Sequence, residues 1–184
     1  TLPDKPGLTE LFGTVAAHCP FCHGHEFAGQ HVVLVGAGPH APRMAAMLGP
    51  IAGRLTVLTD GAPVDPEIGD ALVAAGVAVR TEEVTGFCRS ATGATVSFAS
   101  GPAEEAGGLF VATAFAQSAP FAEQLGLDLL PSGCVRIDAF GRTSRPGVFA
   151  AGDLAHLEEL PMPMSAVLTS AAAGLVAGAA AVQE

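Results

Sequence analysis

The stretch His31-Val32-Val33-Leu34-Val35-Gly36-Ala37-Gly38-Pro39-His40-Ala41 decides the fold. Its first five residues are an unbroken apolar run capped by histidine, the pattern of a strand buried on both faces of a parallel sheet. The next six fit G-x-G-x-x-A. Glycines there permit a tight turn and close backbone approach, and a following helix would offer its N–H groups to a pyrophosphate. Ala41–Gly49 is rich in small residues and predicts that helix, with Pro42 near its start, where proline is tolerated. Pro39 removes one N–H that a phosphate would use.

Working outward, Arg54–Leu58 predicts a second strand, ended by Thr59-Asp60-Gly61. Pro66–Ala75 predicts a helix with Asp65 as its N-cap, and Val77–Arg80 a short strand. Val84–Arg89 and Ala94–Ala99 alternate across Ser90–Gly93 and predict a small antiparallel layer. Leu109–Thr113 predicts a buried strand, Phe121–Leu125 a helix, and Val135–Asp138 and Val148–Ala150 two more strands. A long Ala-rich helix is expected over about Ser165–Val182, unable to begin much earlier because Pro161 and Pro163 precede it. The order strand, glycine turn, helix, strand specifies an α/β fold with a parallel sheet and crossover helices. The expected boundary lies near Thr113–Pro120, dividing the chain into 1–113 and 114–184.

Nearly half of the 184 residues are hydrophobic, which suits a packed α/β protein and argues against disorder. The formal charge of −10 repels phosphate backbones, so no nucleic-acid partner is expected. No run of about 18 apolar residues predicts a membrane span, no signal peptide is seen, and a cytoplasmic location is the default. Thr1–Gly7 reads as a linker that should follow something.

Cys19-Pro20-Phe21-Cys22 is a C-x-x-C motif. The spacing closes a small disulfide ring and often lowers one thiol's pKa, giving a thiolate that attacks or is attacked. Half a zinc site is the alternative, but it lacks two ligands, and His23 and His25 stand at no familiar zinc spacing; no metal is expected. His23 could take a proton from a leaving thiol and return it, or be a solvated turn residue. Glu26 could orient either ring. Asp60 stands nineteen residues past Ala41, about where an acid holds the ribose of a dinucleotide. No Lys or Arg lies between Thr59 and Arg80, so NAD is at least as suitable as NADP; a turn that binds nothing is the other reading. Cys88 and Cys134 read as ordinary thiols, and His156 as a proton carrier or a loop residue.

CPFCHGHE, then VVLVGAGPHA, LFVAT and PGVFAAGDLAH, in this order, resemble the thioredoxin reductase family from Leu2 to the last helix. The resemblance implies a Rossmann-like FAD/NAD(P)-binding fold of three layers: a nucleotide domain carrying the C-x-x-C, then the C-terminal part of an FAD domain. By the same resemblance, Gly152 and Asp153 would meet the flavin's ribityl chain, and the last helix would point its N-terminus at the flavin ring. Cys22 would be the charge-transfer thiol, Cys19 the interchange thiol and His23 the acid/base. The sequence departs from the family in three places. Ser165 and Ala166 replace the usual Arg-Gln pair, His23 replaces an acid, and Thr59-Asp60-Gly61 replaces an Arg cluster.

The last two departures resemble the small-molecule dithiol oxidase branch with its CPxCHG motif, in which electrons pass from FAD to oxygen and the nicotinamide site can be vestigial. The N-terminal FAD half is not among these residues, so association with another chain, as a homodimer, is expected to cover apolar surface. The resemblance implies an FAD-dependent thiol–disulfide oxidoreductase acting on a small-molecule dithiol or disulfide, or on a small thiol protein. The alternatives are an NAD(P)H-dependent disulfide reductase, a non-catalytic nucleotide-binding remnant and a zinc protein.

Overall fold

The computed structural model describes residues 1–114, 116–160 and 162–184. Phe115, inside the expected boundary, and Pro161, one of the two prolines before the last helix, lie outside the described residues. Leu2–Ala114 forms one compact unit and most of the remaining chain a second.

The first unit is built on five parallel strands: β1 (Ala16–Ala17), β2 (His31–Val35), β3 (Arg54–Leu58), β4 (Ala78–Arg80) and β8 (Gly108–Val111). Their order is β1-β8-β2-β3-β4. Side chains of successive strand residues point to opposite faces, and the packing follows that alternation. Val33, Val35, Leu109 and Val111 enter one core; Val32, Leu34 and Phe110 enter the other. The apolar runs are continuous because both faces are covered. One face carries the helices α3 (Ala41–Leu48) and α4 (Pro66–Ala74), which supply Leu48 and Leu72. The other carries an antiparallel layer of β5 (Val84–Ser90), β6 (Gly93–Phe98) and β7 (Glu104–Ala106), which supplies Phe87 and Val96. The molecule thus has the three-layer α/β architecture expected, and Asp65 caps α4 by accepting from the N–H of Glu67 at 2.9 Å.

Several short elements carried no sequence expectation. α1 (Leu8–Leu11), β1, α2 (Pro20–His23), β7 and β10 (Ala155–Leu157) are all four residues or fewer, too short for a periodic signal. β7 is held by side chains as much as by its ladder. Its Glu104 meets Arg54 and Arg80, each at 3.2 Å, and accepts from Thr56 Oγ1 at 3.1 Å.

In the second unit α5 (Phe121–Leu125) precedes a parallel pair, β9 (Val135–Ile137) and β10. The strand expected at Val148–Ala150 is a correction: Phe149 makes only an isolated bridge to Arg142. Thr143 uses its hydroxyl and N–H on Val148 O, closing a turn instead of a ladder. The last helix, α6 (Val167–Gln183), begins two residues later than expected because Ala166 is extended, with φ −154°. One side of α6 packs through Ala177 and Ala180, while Val167, Leu168, Leu175 and Val182 are exposed.

Candidate functional site

All strands of the five-stranded sheet are parallel, so their C-terminal ends share one edge, where open α/β sheets place their ligands. β1 ends there and the chain runs through His18 to Cys19. β2 ends there in Gly36, and β3 in Thr59-Asp60. The cysteine pair and the glycine turn therefore lie on the same edge.

Cys19 precedes α2, and its carbonyl accepts from the N–H groups of Cys22 and His23, both at 3.1 Å. This one turn brings the sulfurs to 2.8 Å as free thiols, with Cys22 S–H donating to Cys19 Sγ. That hydrogen bond, then burial, then charge on Cys19, push the Cys22 thiol above its ordinary value. His23 places Nδ1 3.2 Å from Glu26 Oε1, which orients the ring and leaves Nε2 as the basic nitrogen. Phe21, between the cysteines, is 86 % exposed. His18 is a neighbour that sequence reasoning missed; it stacks on Phe12 with centroids 5.9 Å apart. Its position directly before Cys19 was the available signal.

The raised Cys22 thiol has a measurable consequence. Less thiolate forms at neutral pH than in an ordinary cysteine, whose pKa is about 8.5. Alkylation of Cys22 by iodoacetamide, followed by peptide mass spectrometry, should therefore have its midpoint above that of a free thiol. In Cys19→Ala the midpoint should fall back, because the hydrogen bond and the charge are gone. A wild-type midpoint at or below the free-thiol value would contradict the geometry.

The glycine turn follows β2 directly. Gly36 has φ 106°, a conformation side chains rarely adopt, and donates its N–H to Leu58 O at 3.0 Å. A Cβ on Gly38 would meet nothing within 4 Å, so that side of the turn is open. Ala41 starts α3, is buried, and donates to Gly38 O at 2.9 Å. Gly36, Gly38, Thr59 and Asp60 line one cavity of about 330 Å³ together with Pro3 and Lys5. Both oxygens of Asp60 are already engaged: Oδ1 accepts from Val84 N–H at 2.8 Å, and Oδ2 pairs with Lys5 Nζ at 2.8 Å. Sequence reasoning missed Lys5, and nothing local could have signalled a partner so distant in the chain.

Gly152 and Asp153 belong to the second unit. Gly152 has φ 77° and opens a 3-10 turn that leaves Asp153 exposed. Asp153 Oδ1 accepts from Ser170 Oγ at 3.1 Å. α6 has no side-chain cap at its N-terminus, so its first N–H groups remain available. An exposed carboxylate beside an uncapped helix end suits a polyhydroxyl chain attached to a ring that gains negative charge on reduction, so these residues fit the flavin. His156 is 5 % exposed, with Nε2 at 2.8 Å from Ser132 Oγ and Nδ1 at 2.8 Å from Leu157 O. It is a packed side chain with both ring nitrogens partnered. Among the described residues no three His, Cys, Asp or Glu side chains converge as metal ligands, and no helix is long and apolar enough to cross a membrane.

A doubly covered parallel sheet with a dinucleotide-type turn at its C-terminal edge defines the class: a Rossmann-like FAD/NAD(P)-binding fold. Residues 2–174 match the family model described as pyridine nucleotide-disulphide oxidoreductase, and the chain belongs to that family. It is 31 % identical to the thioredoxin reductase tcpT of Claviceps purpurea, an alignment taking in 95 % of this chain and 57 % of the relative. Among solved structures, a putative thioredoxin reductase TrxB from Bacillus anthracis superposes with a TM-score of 0.85 at 28 % identity, covering 100 % of this chain and 60 % of that one. An oxidoreductase from Agrobacterium tumefaciens superposes with a TM-score of 0.84 at 31 % identity, covering 99 % and 60 %. The chain thus spans somewhat more than half the length of these relatives.

Proposed function

We propose that the protein carries out flavin-dependent thiol–disulfide exchange through Cys19 and Cys22, acting as an oxidase of a small-molecule dithiol. The observation that carries this reading is the accessible sulfur pair, 2.8 Å apart and joined by a hydrogen bond. Exposure alone ranks Cys22 first as nucleophile. The family resemblance supports the opposite division, in which Cys19 carries interchange and Cys22 is the charge-transfer thiol.

Starting from the Cys19–Cys22 disulfide, a substrate thiolate attacks Cys19 Sγ. The Cys19–Cys22 bond breaks, and Cys22 leaves with the electron pair and takes up a proton. The second substrate thiol gives up its proton and attacks the substrate sulfur bound to Cys19. That bond breaks, the substrate disulfide closes and Cys19 is released. The substrate loses two electrons and two protons, and the cysteine pair gains both. His23, oriented by Glu26, takes the proton of the incoming thiol and returns it to the departing sulfur. A flavin, when bound, would supply a two-electron acceptor for the reduced cysteine pair, with oxygen as the final oxidant. Gly152 and Asp153 are the residues proposed to hold it.

A second reading, a disulfide reductase fed by NAD(P)H, is favoured by the open glycine turn and by the names of the relatives. It requires Gly36, Gly38, Ala41 and Asp60 to hold the nucleotide. A small thiol protein is the alternative substrate. We also propose a homodimer, supported by the exposed apolar residues of α6, and a cytoplasmic location.

Anaerobic spectroscopy of the flavin-loaded protein tests the reading. A small dithiol should bleach the flavin, and air should restore it with hydrogen peroxide released. Bleaching by NAD(P)H alone would favour the reductase; bleaching by neither would remove the exchange reaction.

A further inference from the structure

We propose that Lys5 closes the cavity beside the glycine turn, so that nicotinamide dinucleotides do not bind there although the turn itself is intact. Lys5 Nζ is anchored twice, to Asp60 Oδ2 at 2.8 Å and to Val84 O at 3.1 Å. Asp60 is anchored twice as well, to Lys5 and to Val84 N–H. Three contacts thus join three segments: the start of the chain, the end of β3 and the start of β5.

The Lys5 and Asp60 side chains are only 21 % and 30 % exposed, so the pair is less screened than a surface ion pair. Asp60 itself has φ 56°, unusual for a residue with a side chain, and its carboxylate bonds hold that turn in place. A ribose that donates to the acid would have to displace Lys5 or share the carboxylate with it.

Charge and size point the same way. A 2′-phosphate needs an unpaired cation, and the Lys5 charge is already met by Asp60. The cavity of about 330 Å³ lies at the small end of the range filled by drug-sized ligands, and a dinucleotide is larger than those. Pro3 and Lys5 form its wall. Thr59 lines it too; its hydroxyl is 4 % exposed as a residue and has no partner among the described residues, a demand that a single water satisfies. The cradle for phosphate remains, while the ribose end is filled by the protein's own side chains.

The test is isothermal titration of the flavin-loaded protein with NAD⁺, NADP⁺ and ADP-ribose. The wild type should show no binding tighter than about 1 mM. Lys5→Met, which frees Asp60, should bind NAD⁺ and ADP-ribose at least about tenfold more tightly than the wild type, and NADP⁺ no better, since Asp60 repels the 2′-phosphate. Lys5→Arg should stay closed. A wild-type Kd of about 50 μM or lower for any of the three would overturn the proposal, a result that requires no variant to fold. Folded Lys5→Met with unchanged affinity would overturn it as well. This inference stands apart from the cysteine chemistry. If neither dithiol nor nucleotide bleaches the flavin, the exchange reaction falls and the closed cavity stands; if NAD(P)H bleaches it, the closed cavity falls.

Discussion

Replacing Cys22 by Ser should lower dithiol turnover by at least about a thousandfold, because an alcohol cannot form or release a sulfur–sulfur bond. The change is small in volume and the residue is exposed, so the fold should be unaffected and the loss belongs to chemistry. The variant should also reveal the division of labour between the two sulfurs. With an aromatic disulfide reagent, the reduced wild type should release two thiol equivalents from this pair: one when Cys19 attacks, one when Cys22 resolves the mixed disulfide. Cys22→Ser should release one and retain the other half of the reagent on Cys19. The experiment needs a Cys88→Ser background, since Cys88 is also exposed, whereas Cys134 is buried. Turnover within a few-fold of wild type in Cys22→Ser would refute the assignment. One equivalent retained by Cys22 in the Cys19→Ser variant at the wild-type rate would reverse the two roles.

Replacing Asp153 by Ala should weaken flavin binding by about 10- to 100-fold, the scale of one hydrogen bond to a charged group, about 1.5–3 kcal/mol. The measurement is the flavin content of the purified protein, followed by a titration of the apoprotein with FAD. Asp153→Asn keeps an acceptor oxygen and should lose less. Ser170→Ala removes only the hydroxyl that donates to Oδ1 and should change affinity by less than about threefold. This ordering separates a ligand contact from a purely structural carboxylate. If Ser170→Ala and Asp153→Ala lowered thermal stability equally and left FAD affinity alone, Asp153 would be a turn residue and no more.

The two proposed centres differ in how far local sequence could reveal them. Cys19 and Cys22 are joined by one helical turn, so their spacing by itself brings the sulfurs within contact. The same holds for Gly36, Gly38 and Ala41, which follow a strand directly. Asp60 is different. Its distance from Ala41 matches that of a ribose-binding acid, and it does line the cavity, but its carboxylate is turned to Lys5 and Val84. Those partners lie far from it along the chain, and no spacing rule reports them.

The sequence by itself determined the parallel sheet, the antiparallel layer, the glycine turn and the cap at Asp65. Each is written in residues that are neighbours along the chain, where strand alternation, helix-compatible runs and turn chemistry act. Tertiary structure alone decided that Lys5 occupies the acid expected to be free, that His156 is packed with both nitrogens partnered, and that Glu104 fastens a third antiparallel strand. These outcomes depend on side chains meeting across strands, and a polar group takes whichever partner the folded chain brings within hydrogen-bonding distance.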